Sequence, residues 1–217
     1  MNKILLSHST ISNCLQPNNS HNWLNKQIGA IVPDNEFFKR GREVHKIIQG
    51  HISNKKPNEI LLQIKELQNI GSFPIVEERN FDPRCKVIIS INEKYEVIML
   101  YDALDPDNLR FGEIKAWGKM WTVGQFQSSM QRKMYVLGKP TFTKALLITA
   151  LPDPKQWLEE NPRVFTIPAT EQDKKDAEKY IEDAIKVIEG GVFKGGLDEN
   201  GKCTNRFCYF KENCQFK

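Results

Sequence analysis

Tyr95-Glu-Val-Ile-Met-Leu-Tyr-Asp-Ala-Leu-Asp-Pro-Asp-Asn-Leu-Arg-Phe-Gly-Glu-Ile-Lys115 is the stretch on which the reading of this chain turns. Its ends, Tyr95–Tyr101 and Leu109–Lys115, are strand-like, and Asp105-Pro-Asp-Asn108 between them is a turn-forming cluster. An antiparallel hairpin is predicted. With residues 105–108 as the loop, Leu104 pairs with Leu109 and Asp102 with Phe111. Alternate strand residues share a face, so Glu113 and Lys115 point the same way, and this register puts Asp102 on that face too. Two carboxylates gathered there repel unless a cation such as Mg²⁺ or Mn²⁺ joins them. Phosphodiester cleavage asks for the same set: carboxylates to hold the cation and an ammonium beside the attacking water. An Asp followed by Glu-x-Lys also recurs by chance in solvated hairpins, so the surroundings must carry the reading.

Upstream, Asn35–Ile48 has helical periodicity, with Phe37, Phe38, Val44, Ile47 and Ile48 in one apolar stripe and His45 at its flank. A neutral imidazole is a good ligand for a divalent cation. Gly41, one turn earlier, is expected to leave its face uncrowded. Downstream, a helix is predicted from about Met120 to Leu137, on which Gln131 and Tyr135 share a face. The net charge of the 217 residues is only +4. It is unevenly spread: Ile114–Pro152 contains no Asp or Glu but has Lys115, Lys119, Arg132, Lys133, Lys139 and Lys144. Trp117, Trp121, Phe126, Tyr135 and Phe142 interleave with these, a pattern suited to attracting phosphates and stacking unpaired bases where the aromatics are not core. Trp117, Lys119 and Arg132 are accordingly expected to contact nucleic acid.

In this order, Gly41-x-x-x-His45, Asp102, Gly112-Glu-x-Lys115 and Gln131-x-x-x-Tyr135 resemble the motifs of the PD-(D/E)XK nucleases, in their RecB-like branch. The resemblance implies an α/β restriction-endonuclease-like core, a mixed sheet flanked by helices, and Mg²⁺- or Mn²⁺-dependent cutting of DNA. By resemblance His45, Asp102, Glu113 and the Ile114 carbonyl hold the metal. Lys115 positions or activates water, and Gln131 and Tyr135 help to bind DNA. One departure is Met99, which stands where the family has glycine three residues before the motif Asp. An acidic position before the first strands falls on Glu77 or Glu78.

Five cysteines are present: Cys14, Cys85, Cys203, Cys208 and Cys214. The odd number, with only a three-residue apolar run at the start of the sequence, speaks against a disulfide framework and a secretory leader. Thiolates clustered in a reducing compartment suit an iron–sulfur cluster or structural zinc. Cys14 with Cys203-x4-Cys208-x5-Cys214 would join the two ends of the chain; Cys85 is assigned to packing. A nuclease core with one early and three late cysteines resembles the iron-staple nucleases, namely the CRISPR-associated RecB-like exonucleases and AddB-type nuclease domains. Ser7-His-Ser-Thr-Ile-Ser-Asn-Cys14 is similar to their first helix. This resemblance implies a [4Fe-4S] cluster, with structural Zn²⁺ as the alternative. The chain departs in placing four residues between Cys203 and Cys208 where the family commonly has two.

The hydrophobic fraction of 40% supports one sizeable core and no segment approaches a membrane span. One domain over 1–217 is expected, with a core at about 35–190 and cluster-binding segments at about 7–20 and 200–217. A first helix is expected near Ser9–Leu15 and another opening at Pro57 with Ile60, Leu61, Ile64 and Leu67 inward. Strands are expected at about 75–81, 85–92, 95–102, 109–116, 141–150 and 164–167, and a solvated outer helix at Glu171–Glu189. The expected protein is a cytoplasmic, metal-dependent deoxyribonuclease acting on single-stranded DNA or strand ends, chiefly as an exonuclease with endonuclease activity open. Protein partners in recombination, repair or spacer acquisition are expected. Two alternatives remain: a catalytically silent nucleic-acid-binding or adaptor subunit, and an RNA nuclease.

Overall fold

The computed structural model describes residues 3–15, 36–76, 82–116 and 118–190, with all their side chains but those of Phe37 and Phe38. In chain order the elements are β1 (Ile4–Ser7), α1 (His8–Leu15), α2 (Glu36–Ile52), α3 (Lys65–Ile70), β2 (Ile75–Val76), β3 (Lys86–Ser90) and β4 (Tyr95–Leu100). There follow β5 (Ala103–Asp105), β6 (Arg110–Ala116), α4 (Val123–Ser128), α5 (Met130–Gly138), β7 (Lys144–Ala150), β8 (Arg163–Pro168) and α6 (Glu171–Gly190). They build a mixed α/β fold with two mixed sheets, ordered β1-β4-β3 and β2-β5-β6-β7-β8.

The chain passes from one sheet to the other at Tyr101–Asp102, between β4 and β5. β6 lies against β5 on one side and runs parallel to β7 on the other. β7 is almost wholly buried, which is why Ala145–Ala150 reads as a continuous run and not as an alternating strand. Successive β6 residues feed two cores. Phe111 packs with β4, α5 and α6 residues such as Val97, Met134, Tyr135 and Ile181. Ile114 and Ala116 face Val44 and Ile48 of α2, Leu67 of α3 and Trp157. Glu113 and Lys115 therefore stand on the Phe111 side of the strand, toward α5.

Several expectations change. The hairpin forms, but Leu104 pairs with Phe111 and Asp105 with Arg110, two residues from the predicted register. Asp105 is buried and salt-bridged to Arg110 at 2.6 Å, so it belongs to the strand and the loop is 106–109. A two-residue shift preserves the face, and Asp102 stays on the side of Glu113. The single helix expected over residues 120–137 is two. Ser129 has extended backbone (φ −62°, ψ 121°), and Ser128 Oγ donates back to Gly124 O at 2.9 Å and Gln125 O at 3.2 Å, competing with helix continuation. The helix expected from Pro57 is a 3₁₀ turn at Leu61–Gln63 and α3, divided by extended Ile64. Cys85 ends a 3₁₀ turn at Pro83–Cys85 and lies buried just before β3. β1 was unforeseen: too short for periodicity, it is defined by its parallel pairing with β4. Trp117, Glu77, Glu78, Cys203, Cys208 and Cys214 lie outside the described residues.

Candidate active site

β6 presents Glu113 and Lys115 into a cleft of about 780 Å³, which Asp102, His45, Gln131 and Tyr135 also line. Asp102 occupies the bend where the chain changes sheets. There Ile114 N–H lies beyond the last β5 pairing, and Asp102 Oδ2 accepts it at 2.6 Å, so the carboxylate replaces a missing ladder bond. The buried Gln49 amide, one turn after His45 on α2, donates to Asp102 O at 3.3 Å and fixes the bend from the other side. His45 Nδ1 stands 3.6 Å from Asp102 Oδ1. At Gly112 an added Cβ would come within 3.3 Å of Ala103 Cβ and 3.4 Å of the Phe73 ring, so glycine lets β5 and β6 close just before Glu113. At Gly41 an added Cβ would meet Ala116 O at an ordinary 3.8 Å, and crowding does not demand glycine there.

Lys115 is held between acid and amide. Its ammonium pairs with Glu113 Oε1 and donates to Gln131 Oε1 at 2.7 Å. Gln131 Nε2 donates to the Tyr135 hydroxyl at 2.9 Å, and that hydroxyl donates to Leu100 O at the end of β4. Gln131 and Tyr135 thus form a chain of hydrogen bonds that anchors Lys115 to the backbone of the neighbouring sheet. Tyr135 itself is 5% exposed and packs on Tyr101 at 4.5 Å between ring centroids.

Burial and the neighbouring charges together set the charge states. It pushes the Glu113 carboxyl up to about 7 against the pull of Lys115, and Glu113 Oε2 is buried without a hydrogen-bond partner. Burial would also raise Asp102, but His45, the Ile114 N–H and Lys115 hold it below the usual carboxylate range. His45 is the reverse: burial favours the neutral ring, and Asp102 outweighs it and raises the imidazole. Lys115, which burial alone would lower, is raised by Glu113 and Asp102 and remains an ammonium.

An imidazole and two carboxylates, one of them with an orphaned, desolvated oxygen, are a donor set that suits Mg²⁺ or Mn²⁺. Among the described residues no three His, Cys, Asp or Glu side chains are already gathered as metal ligands. The Lys115 ammonium pairs with Glu113 Oε1 and leaves Oε2 unpartnered.

The expected DNA contacts divide. Lys119 is exposed but outside the cleft lining. Arg132 turns away from the cleft altogether: 2% exposed, it makes a bidentate pair with Asp173 and donates to Gln127 O, binding α5 to the start of α6. That correction follows from helix geometry, since Arg132 adjoins Gln131 in sequence but points about 100° away from it around the helix axis. Residues missed by the sequence reading include Ser7, His8 and Ser9 at the β1–α1 corner, and Arg42 and Lys46 of α2. Pairing of β1 with β4 brings that corner to the cleft, and nothing local announces it. His8 is lowered to about 4, by burial first and the Lys115 ammonium second, so its imidazole is neutral. Cys14, buried on α1, is pushed up to about 12 by desolvation.

The sequence matches no family model and no curated protein. Solved structures do match in shape. The crystal structure of SSO0001 superposes with a TM-score of 0.61 at 14% identity, covering 99% of this chain and 88% of that one. An alkaline exonuclease from Laribacter hongkongensis gives 0.51 at 11% identity, over 86% and 88% of the two chains. A candidate exonuclease from Eubacterium rectale gives 0.50 at 11% identity, over 94% and 89%. At such low identity the likeness shows the fold: this chain is built as those two exonuclease structures and SSO0001 are.

Proposed function

We propose that the protein is a metal-dependent deoxyribonuclease of the PD-(D/E)XK kind, cutting single-stranded DNA or strand ends. The observation that carries this reading is the meeting of Asp102, Glu113 and Lys115 in one cleft, with Glu113 Oε2 buried and unpartnered. The exonuclease fold supports it. His45, Asp102, Glu113 and the Ile114 carbonyl would hold Mg²⁺ or Mn²⁺, which when bound supplies Lewis acidity and charge neutralisation at the scissile phosphate. Lys115 contributes a proton-rich ammonium fixed by Gln131, so it orients the attacking water and offsets charge building on the phosphate. Asp102 keeps His45 oriented, and Gln49 keeps Asp102 in place. The neutral His8 ring, which lines the same cleft, can accept a hydrogen bond there.

Cys14 is the described member of the four-cysteine set, and its burial on α1 suits a ligand shielded from solvent. With Cys203, Cys208 and Cys214 it would hold a [4Fe-4S] cluster, or zinc in its place, as a staple between the ends of the chain.

The deciding experiment is cleavage of end-labelled single-stranded DNA with Mn²⁺, comparing wild type with Lys115→Ala and Glu113→Ala. Cutting by the wild type and its loss in both folded variants is expected, and the product ladder gives the polarity. Normal cutting by folded Glu113→Ala would remove the assignment. Binding without cutting by the wild type would favour the silent adaptor, and cutting of RNA in preference to DNA the ribonuclease.

A further inference from the structure

The aromatic run after Lys115 contains more rings than a cleft can use, and the fold sorts them. Phe126, Tyr135 and Phe142 are at most 6% exposed and belong to the core. Trp121 is different: half-buried, it packs against the edge of that core and also lines the cleft. The Lys115 ammonium lies over its ring, 5.2 Å from the centroid. Its main chain is anchored: the Trp121 backbone N–H donates to the fully buried Thr149 Oγ1 at 2.9 Å, and the next residue, Thr122, caps α4 through reciprocal bonds with Gln125. An indole packed on the core and lining the cleft can serve as a stacking surface, sequence-tolerant because every base has a π-face. On α2, exposed Arg42 and Lys46 lie one turn apart on the lining of the same cleft.

Resting on the deoxyribonuclease reading above, we propose that Trp121 makes the cleft select single-stranded DNA: its indole stacks on the unpaired base beside the scissile phosphate, while Arg42 and Lys46 hold the adjoining backbone. In a duplex that base face is covered by its neighbours, so the platform has nothing to meet until the base is unstacked.

The test measures binding in EDTA, where the proposed reaction is off, using a short oligonucleotide with one fluorescent adenine analogue, as a single strand, as a duplex and as its RNA copy. Full-length wild type, Trp121→Ala and Trp121→Phe are compared. Trp121→Ala is expected to weaken single-strand binding about 5- to 150-fold, the range for losing one base–aromatic stack. Duplex binding should stay put and quenching of the analogue should vanish, while Trp121→Phe, which keeps a ring, retains most of both. Unchanged single-strand affinity and quenching in Trp121→Ala would overturn the proposal, as would equal losses on single strand and duplex. Wild type that cuts DNA while either of these holds defeats the Trp121 role alone; wild type that neither binds nor cuts nucleic acid defeats the deoxyribonuclease reading with it. Tighter binding of the RNA copy by wild type would overturn the choice of DNA.

Discussion

Gln131 shows how a residue's role can change while its position in a motif does not. Read from sequence it is a polar group facing DNA; in the fold its amide oxygen accepts a hydrogen bond from Lys115 and its amide nitrogen donates one to the Tyr135 hydroxyl. Removing a group that orients a reacting group typically costs about 10- to 100-fold. Gln131→Ala is therefore expected to lower kcat on single-stranded DNA by that order with KM nearly constant, because the Lys115 ammonium loses one of its two anchors. Steady-state kinetics checks this, and a rise in KM at constant kcat would return Gln131 to substrate binding.

At the scale of elements, the α5–α6 joint depends on one buried ion pair. Burial would raise Asp173, but bonds from Arg132 and Thr170 more than reverse it, so its carboxyl is held below its unfolded value. A depressed carboxylate stabilises the fold above its unfolded pKa of about 4, and that contribution is lost as pH falls through the folded value. Asp173→Asn strands Arg132 in the core and should cost about 3–5 kcal/mol at neutral pH. Denaturant titrations across pH should show the wild-type advantage shrinking below about pH 4. The other end of α5 is set by closeness. A Cβ at Gly138 would lie 2.6 Å from both Met99 Sδ and Tyr101 Oη, and the Tyr101 hydroxyl donates to Tyr135 O at 2.7 Å. Gly138→Ala should cost about 1–3 kcal/mol, read as a lower urea midpoint. Because it pushes on the helix that holds Gln131, activity should fall with it.

For the whole molecule, the two sheets meet at Tyr101–Asp102, and the cleft is the seam between them. The N-terminal β1–α1 unit reaches this seam by pairing with β4, and α1 also packs on α6. A staple through Cys14 would therefore bear on the cleft wall carrying His8. Protein purified without oxygen is expected to show a broad iron–sulfur absorption band, lost in Cys14→Ala. A colourless protein containing zinc would replace the cluster by its alternative. Among the described residues no helix is long and apolar enough to cross a membrane.

What the sequence determined by itself was local. Turn chemistry at Pro106–Asn108, period-two alternation and the spacing of Asp102, Glu113 and Lys115 announced the hairpin and its polar face, because strand periodicity and turn residues act over a few neighbours. Even a two-residue error of register kept that face. The tertiary structure alone decided which side of α5 each residue serves, sending Gln131 to Lys115 and Arg132 to Asp173. It alone also brought β1, His8 and Trp121 to the cleft. Those assignments depend on pairings between residues some ninety positions apart in the chain, as Ile4 with Tyr95, and on burial, which is a property of the packed molecule and of no short stretch of sequence.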